Sequence, residues 1–173
     1  MLSKWTLISI CVLFTSVING QPPLSKLEGH WKGTLFWYRM GQAEPQKVRM
    51  ELLVKPGDQP KQYHWKLSYG APGVDTRPYT LLPVDSAGWH WLVDEQNGIL
   101  IHHYWSGGRF SCSFTVQETT IVHTLYRKGK KLVAEFYSFS AQPVQKSGGS
   151  DSIPVVSSYG LKSFQKAVLK KRR

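Results

Sequence analysis

With 173 residues, 20 of which read as a leader, the chain has the length of one domain with a core of its own. Its two cysteines, Cys11 and Cys112, exclude an intramolecular disulfide once Cys11 leaves with the leader, so the fold stands on packing. The formal net charge of +11 is uneven. Lys162, Lys166, Lys170, Lys171, Arg172 and Arg173 crowd the last thirteen residues, while residues 21–160 stay only mildly basic.

The first element in chain order is that leader. Lys4 precedes an apolar run from Trp5 to Val17, interrupted by Thr6, Ser9, Thr15 and Ser16, and Gly20 stands before Gln21-Pro22. A positive start, a short apolar stretch and a small residue before the cut are the parts of a signal peptide. A membrane anchor needs roughly 20 apolar residues, and this run has about 13. Lipoprotein processing at Cys11 is disfavoured by the bulky Ile10 before it. The expected mature protein is therefore residues 21–173, cleaved after Gly20 and secreted or periplasmic.

The body reads as strands separated by turn residues. His30 to Met40 alternates through Trp31, Gly33, Leu35 and Trp37, and a turn follows over Gly41 to Pro45. Lys47 to Lys55 puts Val48, Met50, Leu52 and Val54 on one face, and Gln62 to Tyr69 does the same with Tyr63, Trp65, Leu67 and Tyr69. Arg77 to Val84 is weaker, since Pro78 and Pro83 sit at its ends. Trp89 to Asp94 and Ile99 to Trp105 flank Asn97-Gly98, whose backbone suits a tight hairpin. Arg109 to Gln117, Thr119 to Lys128 and Leu132 to Phe139 complete nine strands. Residues 141–152 read as a loop around Gly148-Gly149. The chain end fits either a helix, through Leu161, Phe164 and Val168, or a closing strand over Gln165 to Lys171. Period-two alternation bounded by Gly, Pro, Asn and Asp marks half-buried antiparallel strands.

About nine to ten strands with short links predict an all-β, antiparallel up-and-down meander barrel, because closure removes exposed sheet edges. A two-sheet β-sandwich is the competing arrangement. Ten strands leave room for an internal cavity. The segment Leu24-Ser25-Lys26-Leu27-Glu28-Gly29-His30-Trp31-Lys32-Gly33 resembles the opening of the calycin superfamily, in its lipocalin-like and nitrobindin-like forms. The resemblance rests on the structural pair Gly29 and Trp31 and covers the first strand only. It implies that Trp31 closes the barrel base beneath a basic residue from near the chain end, drawn from Lys170 to Arg173. It also implies a lipocalin-like domain of an exported bacterial family without assigned function.

Six tryptophans remain after the leader. Trp31 is assigned to the core, while Trp37, Trp65, Trp91 and Trp105 either fill the core or line a cavity; a strip of exposed aromatics for sugars is a further reading. His103 shares a face with Ile101 and Trp105, and His123 with Ile121 and Leu125, so both are candidates for the interior. The cavity candidates are thus Trp37, Trp65, Trp91, His103, Trp105 and His123. No cofactor is called for by a motif. A haem on His103 or His123 is the one cofactor the histidines admit. No metal is called for either, since HExxH and CxxC are missing. Cys112 reads as a buried inert thiol, with no histidine assignable beside it. Arg39 and Arg127 extend apolar alternations and would meet a carboxylate at a cavity mouth or simply reach solvent.

These features favour a monomer that binds a small hydrophobic or amphipathic molecule, without catalytic residues and without a nucleic-acid partner. Two rivals stand beside it. One is a calycin-type enzyme, a cyclase or isomerase, which needs a charged pair inside the barrel. The other is a surface protein whose basic C-terminus touches an anionic membrane or polyanion.

Overall fold

A computed structural model describes residues 23–172; the expected leader, residues 1–20, lies outside the described residues. A 3₁₀ turn, Pro23–Leu27, precedes ten strands: β1 (Gly29–Arg39), β2 (Gln46–Pro56), β3 (Tyr63–Tyr69), β4 (Asp75–Pro83), β5 (His90–Asp94), β6 (Leu100–Ser106), β7 (Arg109–Val116), β8 (Thr119–Lys128), β9 (Lys131–Ser147) and β10 (Val156–Lys171). Each strand pairs antiparallel with its sequence neighbour, and β10 returns to β1 to close the barrel. The meander barrel is the architecture the alternation calls for, and the sandwich is not formed. Closure leaves no free edge on the barrel wall.

Alternation decides which residues face in. Along β2, Met50, Leu52 and Val54 are buried, and along β6, Ile101, His103 and Trp105 are. The 3₁₀ turn closes one end, because Leu24 and Leu27 are fully buried in the same core as Trp31. The Trp31 indole donates to the Leu27 carbonyl at 2.7 Å. Two cations cover that ring: the Arg127 guanidinium at 4.9 Å and the Lys171 ammonium at 5.7 Å from its centre. Lys171 is the basic partner expected from the chain end, and Arg127 is a second one from β8. Gly29 is held at φ +126°, and a Cβ there would fall 2.2 Å from Lys171 Cε. Only glycine takes that conformation without strain.

One segment differs from expectation: residues 141–147 continue β9 instead of forming a loop. At the chain end the closing strand is formed and not the helix, and it begins well before Gln165, at Val156. Above Ser140, β9 pairs with β10 alone, and β10 reaches β1 only from Ser163 onward. The two strands thus run past the barrel rim as a two-stranded ribbon, with Gly148 and Gly149 at positive φ in its turn. The segment is too polar to read as a strand. It pairs because the partner strand is next in sequence and already aligned by the barrel below.

Candidate functional site

The closed end is solidly packed, while the opposite half of the barrel encloses a cavity of about 420 Å³. This size falls within the range of small-molecule sites. Its walls are mostly apolar: Leu35, Val48, Leu67, Val93, Ile101, Phe114, Ile121 and Phe136, with Trp37 and Trp65. Every strand contributes, because each sends an inward residue to the same level of the barrel.

Four of the six cavity candidates therefore line it: Trp37, Trp65, His103 and His123. Trp91 and Trp105 sit in the packed half. The Trp91 indole donates to the Gly88 carbonyl at 2.7 Å, and Trp105 meets Phe110 edge to face at 5.6 Å. Trp31, as assigned, is core. On the outer wall Tyr38 stacks on the half-buried Phe164 at 5.9 Å and Tyr137 meets Phe164 tilted at 4.7 Å, a row that includes no tryptophan.

Polar groups gather at two places in the cavity. The first is centred on β4, where Asp75, Arg77 and Tyr79 join Tyr69 at the end of β3 and Glu95 just past β5. Arg77 donates Nε and Nη2 to the two Asp75 oxygens, each at 2.9 Å. Those hydrogen bonds raise the Arg77 pKa and lower that of Asp75, so both stay charged. Burial raises the Tyr69 and Tyr79 hydroxyls, with Glu95 adding to the shift at Tyr79, and both remain neutral donors. Arg39, at the end of β1, lies over the Trp37 ring at 3.8 Å. Arg127 is at the closed end, away from the cavity, and donates to the Lys26 carbonyl.

The second place is deeper and was not legible as a motif. Cys112 on β7 stands directly across from His123 on β8. The β6–β7 register, Tyr104 against Ser111, puts His103 in the same row on the other side. The donor atoms of His103, Cys112 and His123 all lie within 4.8 Å of one another, and each side chain is at most 7% exposed. The His103 ring stacks on Phe110 at 4.9 Å and the His123 ring on Phe136 at 4.3 Å. His103 Nδ1 bonds the Ile101 carbonyl at 3.2 Å, and His123 Nε2 is buried with no hydrogen-bond partner. An unsatisfied buried polar atom costs about 1–3 kcal/mol, so its retention needs a reason.

Burial governs the charges here. It lowers His103 to about 4, against the pull of the Ile101 hydrogen bond, and lowers His123 to about 3, helped by neighbouring His103. Both imidazoles are neutral near pH 7. Burial also pushes the Cys112 thiol up to about 12, with the His123 backbone acting weakly the other way. A thiol so raised is no nucleophile on its own, which agrees with the inert reading. The expectation of no neighbouring histidine is corrected, since two flank it. Spacings of nine and eleven residues resemble no loop-borne motif, and only strand register brings the three side chains together.

No protein-family model matches the chain, and no curated protein does. Among solved structures, the chain is similar to a protein of unknown function of the DUF3598 family from Nostoc punctiforme, with a TM-score of 0.62 at 12% identity. That match covers 86% of this chain and 49% of the other, so the chain spans about half the length of that relative. It is also similar to the S-type phycobiliprotein lyase CPES from Guillardia theta, with a TM-score of 0.57 at 7% identity, covering 90% of this chain and 96% of that one. Likeness at such identities shows the fold alone, a closed antiparallel β-barrel, in agreement with the ten-stranded meander.

Proposed function

We propose that the protein is an exported binding barrel that holds a small hydrophobic or amphipathic molecule in the open half of its interior. The observation that carries this reading is the cavity of about 420 Å³, apolar along its walls and polar on one side. Such a site takes the apolar body of a ligand by the hydrophobic effect and orients its polar end by a few fixed groups. Asp75, Arg77, Tyr69 and Tyr79 are those groups. Because Arg77 is already matched by Asp75, with Glu95 nearby, a ligand with a neutral polar end suits the site as well as an acid does. The similarity to a phycobiliprotein lyase supports the reading only in that a barrel of the same fold serves there in a lyase of phycobiliproteins. Export rests on residues 1–20 of the sequence.

The surface reading has less behind it. Lys166 is bound to Glu135 at 2.8 Å, Lys162 donates to the Glu118 carbonyl and Thr119 hydroxyl, and Lys171 covers Trp31. Half of the basic end is thus engaged in holding the barrel together.

Tryptophan fluorescence tests the proposal, since Trp37 and Trp65 wall the cavity. Lauric acid, retinol, 1-anilinonaphthalene-8-sulfonate and haem are titrated into the purified protein. At least one is expected to quench saturably. Ile121→Trp, which fills the cavity, is expected to weaken that binding at least tenfold while leaving the thermal midpoint close to that of the parent. If none binds more tightly than about 1 mM, or if Ile121→Trp binds as well as the parent, the reading fails. Recovery of a chain beginning at Gln21 from the periplasm of an expressing bacterium tests export, and an uncleaved cytoplasmic product overturns it.

A further inference from the structure

We infer that His103, Cys112 and His123 form a three-ligand site for a soft monovalent metal ion, Cu⁺, on the inner wall of the barrel. The inference is independent of the organic ligand proposed above, because the metal is titrated with no such molecule present.

The donor set is the first support. Two imidazoles and one thiolate are ligands of copper and zinc, and the thiolate favours the softer ion. Their placement is the second. Each comes from a different, adjacent strand, all three face inward in one row, and the donor atoms lie within 4.8 Å of one another. Metal–nitrogen bonds of about 2.0 Å and metal–sulfur bonds of about 2.3 Å set donor separations of about 3.3–3.7 Å. The widest pair therefore closes by about 1 Å, within reach of small side-chain rotations. The third support is how the rings are held. His103 bonds the Ile101 carbonyl through Nδ1, which places the proton there and leaves Nε2 with a free lone pair. A histidine that ligates a metal commonly fixes its other nitrogen in this way. Phe110 and Phe136 hold the ring planes. The fourth is His123 Nε2, buried and without a partner, an atom that a metal would satisfy.

Charge selects the ion. The row lies among Phe114, Phe136 and Ile121, and no carboxylate belongs to it. On binding, Cu⁺ displaces the thiol proton, which passes to solvent, and a copper–sulfur bond forms. The copper keeps its oxidation state, and the cluster is neutral before and after. Zn²⁺ bound in the same way would leave one uncompensated positive charge in an apolar wall, which is costly. All three residues border the cavity, so the bound ion would face it.

The test is competition with the copper(I) chelator bathocuproine disulfonate, under ascorbate, on the purified protein. One equivalent of Cu⁺ per chain is expected to leave the chelator, with X-ray absorption showing one sulfur and two imidazole nitrogens. Outer-shell changes at metal sites already cost 10–100-fold in affinity, so Cys112→Ser, His103→Gln and His123→Gln should each weaken binding by roughly a hundredfold or more. Thermal midpoints serve as the fold control. If a variant does not fold, the absorption spectrum of the parent decides, and a shell without sulfur overturns the site. Withdrawal of no copper by the parent, or equal withdrawal by a folded Cys112→Ser, also overturns it. Displacement of bound Cu⁺ by an equal concentration of Zn²⁺ overturns the choice of ion.

Discussion

Glu51 shows how one side chain ties the outer wall together. It stands on β2 and accepts from His30 on β1 at 2.7 Å, from Lys32 on β1 at 2.8 Å, and from Arg49 two residues before it. Burial alone would raise its pKa, but the hydrogen bonds from Lys32, His30 and Arg49 outweigh that and lower it from 4.5 to about 2. A carboxylate with a depressed folded-state pKa binds fewer protons folded than unfolded. Its stabilisation is fully present above pH 4.5 and is lost as the pH falls toward 2. Glu51→Gln should therefore melt a few degrees below the parent at pH 7, with the gap closing progressively between pH 4.5 and 2. A gap that stays constant across that window would show that the carboxylate charge is not what stabilises β1 against β2. Gly33 works by absence instead. A Cβ there would fall 2.5 Å from the Val168 carbonyl oxygen, so β1 approaches β10 this closely only through glycine.

At the scale of elements, β9 and β10 play two parts. Their lower halves close the wall, with Ala134, Ala167 and Leu169 fully buried. Their upper halves form the ribbon beyond the rim, where Val144, Val155, Val156 and Tyr159 are all at least half exposed. Little apolar area is buried there, so the ribbon should contribute little to stability. Replacement of residues 144–158 by a short Asn-Gly turn is expected to change the unfolding free energy by less than about 1 kcal/mol, as read by urea denaturation. A larger loss would mean that the ribbon packs on something the barrel needs. Register shifts at Ser158, Tyr159 and Leu161 fit this division, since irregular pairing is tolerated where no side chain has to reach the core.

For the molecule as a whole, closure is the governing fact. Cys112 sits on β7, paired with β6 and β8, and is 5% exposed. A barrel with no edge strand cannot expose it by peeling, so a reagent reaches it only along the cavity it borders. A bulky maleimide without added metal should therefore label the folded protein far more slowly than the urea-unfolded one. Equal labelling rates in the two states would show that the wall opens beside the cavity. The two polar clusters also belong to this scale. The group of Asp75, Arg77 and Glu95 and the row of His103, Cys112 and His123 line different parts of one cavity wall, and each is assembled from more than one element by the curvature of the barrel.

The alternation of apolar and polar residues by itself determined the all-β class, nearly every strand, and the inward faces that carry Trp31, Trp37, Trp65, His103 and His123. A period of two is a local property, set by the pleat, and it can be counted along the chain. Gly29 and Trp31 likewise marked the base of the barrel before any strand was paired. What alternation could not assign was depth. Trp91 and Trp105 share the inward phase with Trp37 and Trp65, yet lie in the packed half, because depth depends on how the strands are staggered around the closed wall. The same reason hid the role of Cys112. Its neighbours across the sheet are separated from it by nine and eleven residues in sequence, and only the register of β6, β7 and β8 brings two histidines to its side.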